Sequence, residues 1–579
     1  MGFIQPNLPV VDIPEWSKGT RAERVVPMMR HIAENGFGTP LVMHVMYGVK
    51  IALYILGGWL FAWTTAGIGG FTRVAEWWTE PIVFQKAVLF TMLFEVVGLG
   101  CCFGPLAGRY FPPMGSILYW LRPGTIRLPP WPDRVPLTKG NNRTPFDAVL
   151  YGALVMLLAI ALVSDGSGPI PALHTVIGVL PWWQTTAILS VLAVLSLRDK
   201  VIFLAARGEV YAPLALAFLF SGADIVVGTK AVFMVIWLGA ATSKLNRHFP
   251  FVISTMLANN PFIPSGFLKR SLFKCYPDDL RPSALAGLIA HFSTAVEGLV
   301  PLALFFSHGG WPTAVAAFVM ILFHLNILLA FPMGVPLEWN VFMIFGVLWL
   351  FVAHANLGWA SVTNPLPLAI LFAVIAGTVV VGNLYPRKVS FLPGMRYYAG
   401  NWDTTLWCVK PSVDEKFRTG SRALGPMQHL QLERLYKSKE ATLVPIHLAY
   451  AFRGMNTHGR ALFTLAHRAM AGYDEDDYNL CEGEVLCAMV LGWNFGDGHL
   501  HNECLIEALQ QRCRFEPGDV RVVILDAQPI QKQTQEYRLV DAATGEFERG
   551  YVDVDVMVTN QPWADDIPIH VQSSAAGMA

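Results

Sequence analysis

The sequence predicts a mainly α fold: a polytopic helical membrane bundle of about ten spans, then a small C-terminal α+β domain. Three observations predict it. Residues 40 to 385 carry about ten apolar stretches, each near the ~20 residues that cross the hydrocarbon core of a bilayer. The 579-residue chain is 54% hydrophobic and only 15% charged, where a soluble protein carries nearer ~25%. Beyond residue 390 the charges return and the long apolar runs stop.

The first 39 residues are polar and lack the apolar core of a signal peptide, so they read as a cytoplasmic N-terminal segment. The expected spans are 40–64, 82–106, 146–164, 172–197, 208–226, 230–247, 284–307, 313–332, 338–356 and 365–385, within a membrane domain of 40–389. Pro181 and Pro213 interrupt the fourth and fifth. Proline removes a helical hydrogen bond, so one of these two is a candidate re-entrant segment.

Arginine and lysine cluster in the N-terminal segment and in the loops 107–145, 198–207 and 248–283. The alternate loops near 165–171, 308–312 and 357–364 have none. Positive loops stay in the cytoplasm. Ten spans then place both termini there, in a bacterial plasma membrane. The 107–145 loop combines Tyr119, Trp120, Arg122 and Trp131, a composition suited to the headgroup layer, and reads as an interfacial loop.

In residues 390–559 helices are expected at 443–471, 484–495 and 502–513, the last capped by Asn502. Strands are expected at Val520–Asp526, Gln535–Val540 and Tyr551–Val558, with Thr544-Gly545 as turn punctuation. Residues 560–579 read as a loose tail. Eight cysteines are scattered without a CxxC pair, so neither a zinc ribbon nor a dithiol redox motif is suggested. The chain has 42 basic and 42 acidic residues, so a nucleic-acid partner has no electrostatic support. There is no GxxxxGK, GxGxxG or GxSxG, which removes nucleotide-driven transport by this chain alone and a standard lipase elbow.

The chemistry lies in ionisable residues inside the apolar spans. Lys50, Glu95, Glu297 and His324 each fall close to the midpoint of a span. At 1.5 Å per residue they share one plane to within ~3 Å. A charge at that depth costs at least ~2.5 kcal/mol. A Lys–Glu pair lowers the cost of both charges, and Lys50 is expected to meet Glu95 or Glu297. Such a layer serves either as a structural ion pair or as a polar pocket for a headgroup, quinone ring, ion or proton path. Glu338 and Asn340 open another span, where the helix dipole favours the carboxylate. His324 alone reads more readily as an interhelical hydrogen bonder than as a metal ligand.

Residues 235–252 pass from a small-residue stretch to Lys244-Leu245-Asn246 and an aromatic-rich turn. This resembles the lysine motif of the HTTM family, the membrane domain shared with vitamin K-dependent gamma-carboxylases. The segment His291 to Pro301, with Thr294 and Glu297, is similar to that family too. The resemblance implies that Lys244 acts as a base toward a reduced quinone, with Glu297 and His291 lining the cavity. A lysine desolvated in an apolar pocket is suited to that role; one near a helix end also snorkels to the interface, as Lys230 is expected to do. The whole chain resembles a family of mycobacterial-type transmembrane proteins of this length, a likeness that names no activity.

In the soluble region His499, His501 and Glu503 alternate in a glycine-rich run. They are candidate zinc ligands if strand-like, although the glycines equally suit a tight loop before the next helix. The sequence thus leads to two functions. One is a protein holding a lipid or quinone-like ligand in a polar cavity, as an HTTM-type enzyme or not. The other is a non-catalytic cell-envelope component of lipid transport or assembly. Membrane lipid is the expected partner, with a homo-oligomer or an envelope complex as the assembly.

Overall fold

A computed structural model describes residues 3–100, 115–330, 337–456, 460–493 and 498–574. Cys101, Cys102, Arg109, the ends of the spans expected at 82–106 and 313–332, and Asn494–Asp497 lie outside the described residues.

An N-terminal helix, α1 (Arg21–Asn35), starts with a capping box in which Thr20 and Glu23 satisfy each other's backbone N–H groups. The apolar region then forms α2 (Leu41–Trp63), α3 (Pro81–Val96), α4 (Pro145–Val163), α5 (Trp182–Arg198), α6 (Gly208–Ala217), α7 (Ala223–Ser243), α8 (Phe249–Asn259), α9 (Ala284–Phe306), α10 (Gly310–Ala330), α11 (Leu337–Gly346, continued as a π-helical stretch Val347–Ala353) and α12 (Pro365–Leu384).

Among the described residues six helices, α2, α4, α7, α9, α10 and α12, are long and apolar enough to cross a membrane. The count of about ten spans is therefore not confirmed on that measure: α3 and α11 with its π-helical extension are shorter apolar helices, and the fourth and fifth expected spans are broken. Pro181 caps the start of α5 rather than interrupting a longer helix. Gly222, at φ +54°, separates α6 from α7. With ten residues, α6 rises only about 15 Å, half a bilayer core.

Burial sorts the helices into layers. The α7 window is 83% buried and that of α2 only 17%, so α7 is the central post and α2 an outer one. Helix α3 is also internal, with residues from Pro81 to Val96 buried almost throughout. Leu53, Leu56 and Leu60 on α2 and Leu288, Phe292 and Leu299 on α9 face outward, as side chains bordering lipid do.

The C-terminal region contains α13 (Lys439–Asn456), α14 (Leu462–Ala469), α15 (Gly483–Val490) and α16 (Glu503–Cys513), the last capped by the Asn502 side chain. Its sheet has six antiparallel strands: β1 (Thr404–Val409), β2 (Asn479–Glu482), β3 (Val520–Leu525), β4 (Thr534–Asp541), β5 (Gly545–Asp553) and β6 (Ile569–Ser574), in the order β2-β1-β3-β4-β5-β6. Strands β1 and β3 are buried along their whole length. Alternate side chains serve two cores: Trp407, Val522 and Ile524 join one, and Leu406, Cys408, Val523 and Leu525 the other.

Two expectations of the C-terminal region change. The third strand stops at Asp553 and turns into a short helix, Val554–Thr559, because Val554 and Met557, three apart, are the buried pair. The tail supplies β6, which pairs with β5. In the described part of the 107–145 loop two of the aromatic residues pack on the C-terminal domain. Tyr119 and Trp120 are buried and donate to the carbonyls of Val490 (2.7 Å) and Leu491 (2.8 Å) at the end of α15. Arg512 reaches back to the carbonyls of Gly124 and Asn141.

Trp120→Ala should therefore lower stability by about 3–5 kcal/mol, the usual cost of emptying a buried aromatic site. Trp131→Ala, at an exposed position, should stay within about 0.5 kcal/mol. Thermal unfolding of both variants in detergent checks the contrast, and equal losses would refute it.

Candidate functional site: a charge-balanced centre and an apolar groove

Four helical elements bring ionisable side chains to one buried point. Lys50 of α2 places Nζ 2.8 Å from Glu338 Oε2 at the start of α11. Arg207, at the N-terminus of α6, places Nε 3.0 Å from Glu95 Oε1 on α3 and Nη2 3.7 Å from Glu338 Oε1. All four are buried. Two basic and two acidic side chains meet here, so their formal charges balance. Arg207 also lies over the Trp339 ring at 5.7 Å, and its backbone takes the left-handed conformation, φ 45°. That conformation is unusual for a residue with a side chain, and it turns the chain between Ala205 and α6 so that the guanidinium points inward.

The pairing differs from the one the sequence favours. Lys50 meets Glu338, not Glu95 or Glu297. Arg207, counted as a loop charge, is the missing cation. The need for it was visible in principle: Glu95 and Glu297 outnumber the one lysine expected at that depth, and buried charge must be compensated.

Glu297 belongs to a second pair. Lys244 caps the C-terminus of α7 and is in direct contact with Glu297 on α9. Its ammonium also lies 5.4 Å from the Phe249 and Phe323 ring centres. Lys244 is buried rather than snorkelling, and so is Lys230, whose Nζ donates to the carbonyls of His354 (2.9 Å) and Leu357 (2.6 Å). His291, two turns before Glu297, is exposed on α9, so the structure does not bring it to this pair.

His324 forms a third polar node. Its Nε2 accepts from Trp237 Nε1 at 3.1 Å, and its Nδ1 donates to Asn340 Oδ1 at 2.9 Å. This fixes a neutral tautomer and ties α10 to α7 and α11. The four mid-span groups are thus shared among three nodes rather than one chamber.

Next to the charged centre lies a groove of about 300 Å³ between α2, α3 and α11. Tyr54, Trp59, Trp77, Phe90, Phe342 and Phe345 line it. The Trp59 and Trp77 N–H groups donate to the carbonyls of Phe71 and Gly70, which leaves the groove an apolar surface. Ile55, 45% exposed, lines it too, so it is reached from the outer flank of α2. Helix periodicity joins groove to centre: Lys50 and Tyr54 are four apart on α2, as are Glu338 and Phe342 on α11. The Tyr54 hydroxyl is 2.5 Å from Thr91 Oγ1, four residues before Glu95.

In the soluble region His499, His501 and Glu503 take separate partners. His499 Nε2 donates to the Pro386 carbonyl at 3.4 Å, His501 Nδ1 meets Thr405 Oγ1 at 2.8 Å, and Glu503 pairs with Arg538. The run is helical rather than strand-like. Among the described residues no three His, Cys, Asp or Glu side chains are grouped to hold a metal ion.

Burial, with Arg453 and His499 nearby, pulls the His501 imidazole down to about 3; burial with Lys200 and Arg396 does the same for His499. A histidine whose folded pKa lies below its unfolded value of 6.5 contributes stability above pH 6.5, which is lost as pH falls toward 3. The slope is about 1.4 kcal/mol per pH unit for each group. His501→Gln should flatten the wild-type decline between pH 6 and 4 by that amount, read by denaturant titration at each pH; identical slopes would contradict the assignment.

Lys50→Met should cost about 3–5 kcal/mol, because it strands a buried carboxylate. Lys50→Met with Glu338→Gln should recover at least half of the loss. Melting of the two single variants and the double variant measures the coupling, and additive losses would show that the two side chains do not interact.

No curated protein and no solved structure matches the chain. A family model does, over residues 1–572. The protein accordingly belongs to the family of transmembrane proteins of unknown function DUF3556.

Proposed function

We propose that the protein holds an amphipathic molecule, a lipid or a quinone, with its tail in the groove between α2, α3 and α11 and its polar end toward the centre formed by Lys50, Glu95, Arg207 and Glu338. The observation that carries this reading is the juxtaposition itself. An apolar, aromatic-lined groove reached from the lipid-facing flank runs, within one helical turn, into a cluster of two cations and two carboxylates. Ligand sites combine a mainly apolar wall with a few convergent polar groups in this way. The setting is a multi-pass protein of a bacterial plasma membrane with both termini in the cytoplasm. Lipid handling without catalysis, in transport or envelope assembly, needs nothing more than this site.

A second reading is an HTTM-type enzyme with Lys244 as base. It is favoured by the contact between Lys244 and Glu297, the lysine and the carboxylate that the motif resemblance singles out. Against it stands the engagement of the amine by that carboxylate, since a base needs a free lone pair.

Mass spectrometry of organic extracts from the purified protein separates these readings. A stoichiometric lipid or quinone is expected from the wild type. It should be lost in Gly58→Phe, which fills the groove from α2, and retained in Lys244→Ala. Loss in Lys244→Ala with retention in Gly58→Phe would favour the enzyme reading, and no bound amphiphile in any variant would overturn both.

A further inference from the structure

A second cavity, of about 270 Å³, lies where α1 meets the C-terminal domain and shares no lining residue with the groove. Arg21 and Arg24 come from α1, His447 and Tyr450 from α13, and Asp476 and Tyr478 from the segment leading into β2. Both guanidinium groups are already matched. Arg21 Nε is 3.0 Å from Glu475 Oε2, and Arg24 Nη2 is 3.1 Å from Asp476 Oδ1. These two pairs therefore leave no net charge to recruit an ion.

His447 and Tyr450 differ from these arginines. His447 Nδ1 donates to the Leu443 carbonyl at 2.8 Å, which fixes the proton there and leaves Nε2 as a lone-pair acceptor. Burial holds this imidazole down at about 4, so it is neutral at physiological pH. Among the described residues neither His447 Nε2 nor the Tyr450 hydroxyl has a hydrogen-bond partner. The two side chains are 5% and 7% exposed, and they stand three residues apart on the same face of α13. Buried polar atoms are nearly always paired. Two unpaired ones side by side, on residues that line one cavity, point to a ligand.

The pair also specifies the ligand. One atom accepts and the other donates, and an alcohol hydroxyl answers both. A carboxylate or phosphate would set its negative charge against the lone pair of Nε2. We propose that this cavity binds an uncharged polyhydroxylated unit, a monosaccharide or cyclitol, either free or as the headgroup of a glycolipid.

The experiment is calorimetric titration of the full chain in an amine-oxide detergent, which has no sugar headgroup. The probes are D-glucose, myo-inositol, octyl glucoside below its micelle concentration, and inorganic phosphate. At least one hydroxylated probe should bind saturably. Its affinity should fall at least tenfold in Tyr450→Phe and in His447→Phe, while the melting temperature stays level or rises as an unpaired polar atom is removed. Preference for octyl glucoside assigns a lipid headgroup, and equal or better binding of the free compounds assigns a soluble one. Binding of none of the three, binding that survives both substitutions, or tighter binding of phosphate that is lost in Arg21→Gln would overturn the proposal. Should both variants fail to fold, Ile446→Trp closes the cavity from its half-buried wall, and binding that persists in it would be equally decisive.

Discussion

The membrane half of this protein depends on charge neutrality in a low-dielectric interior. Lys50, Glu95, Arg207 and Glu338 come from four different helical elements, and none is affordable there alone. Removing an ion from water costs several kcal/mol even after relaxation, and only close, well-directed partners return it. The quartet therefore acts as a registration device. Each of α2, α3, α6 and α11 must sit at one depth and one rotation for the charges to close. The pair Lys244–Glu297 does the same for α7 and α9, and the His324 bridge for α10.

The apolar groove follows from this registration. Once α2 and α11 are fixed by Lys50 and Glu338, the residues one turn further along, Tyr54 and Phe342, are fixed too. An opening next to the polar centre results without any separate feature to hold it apart. The same reasoning explains why α3 is so completely enclosed: it carries Glu95 at one end and the Phe84 and Phe90 rings on either side, and has neighbours on every face.

Much of this was legible in the sequence, and the failures have physical causes. Six long spans, the Asn502 cap and the core strands β3 and β4 follow from hydrophobic period, capping chemistry and β-branched alternation. Lys50 and Glu297 were identifiable as buried charges because each interrupts an apolar run. Their partners were not, since pairing depends on helix order and rotation, which periodicity does not encode. Arg207 was misread because it stands among Arg198 and Lys200 in what looks like a basic loop. Arg198 is itself bound to Asp147, and Arg143 to Asp199, so part of the loop charge that orients the chain by composition is structural. Strand β1 was missed because Thr404–Val409 is short and flanked by polar turns, and β6 because its exposed side chains look like those of a tail.

The packing of α1 against α13 has one last consequence. The segment just before the first apolar helix and the domain after the last one share a single core, as do the described part of the 115–145 connection and α15. A folded core cannot be divided by a bilayer. Stretches that share a core are expected on one side of a bilayer, with an even number of crossings between any two of them.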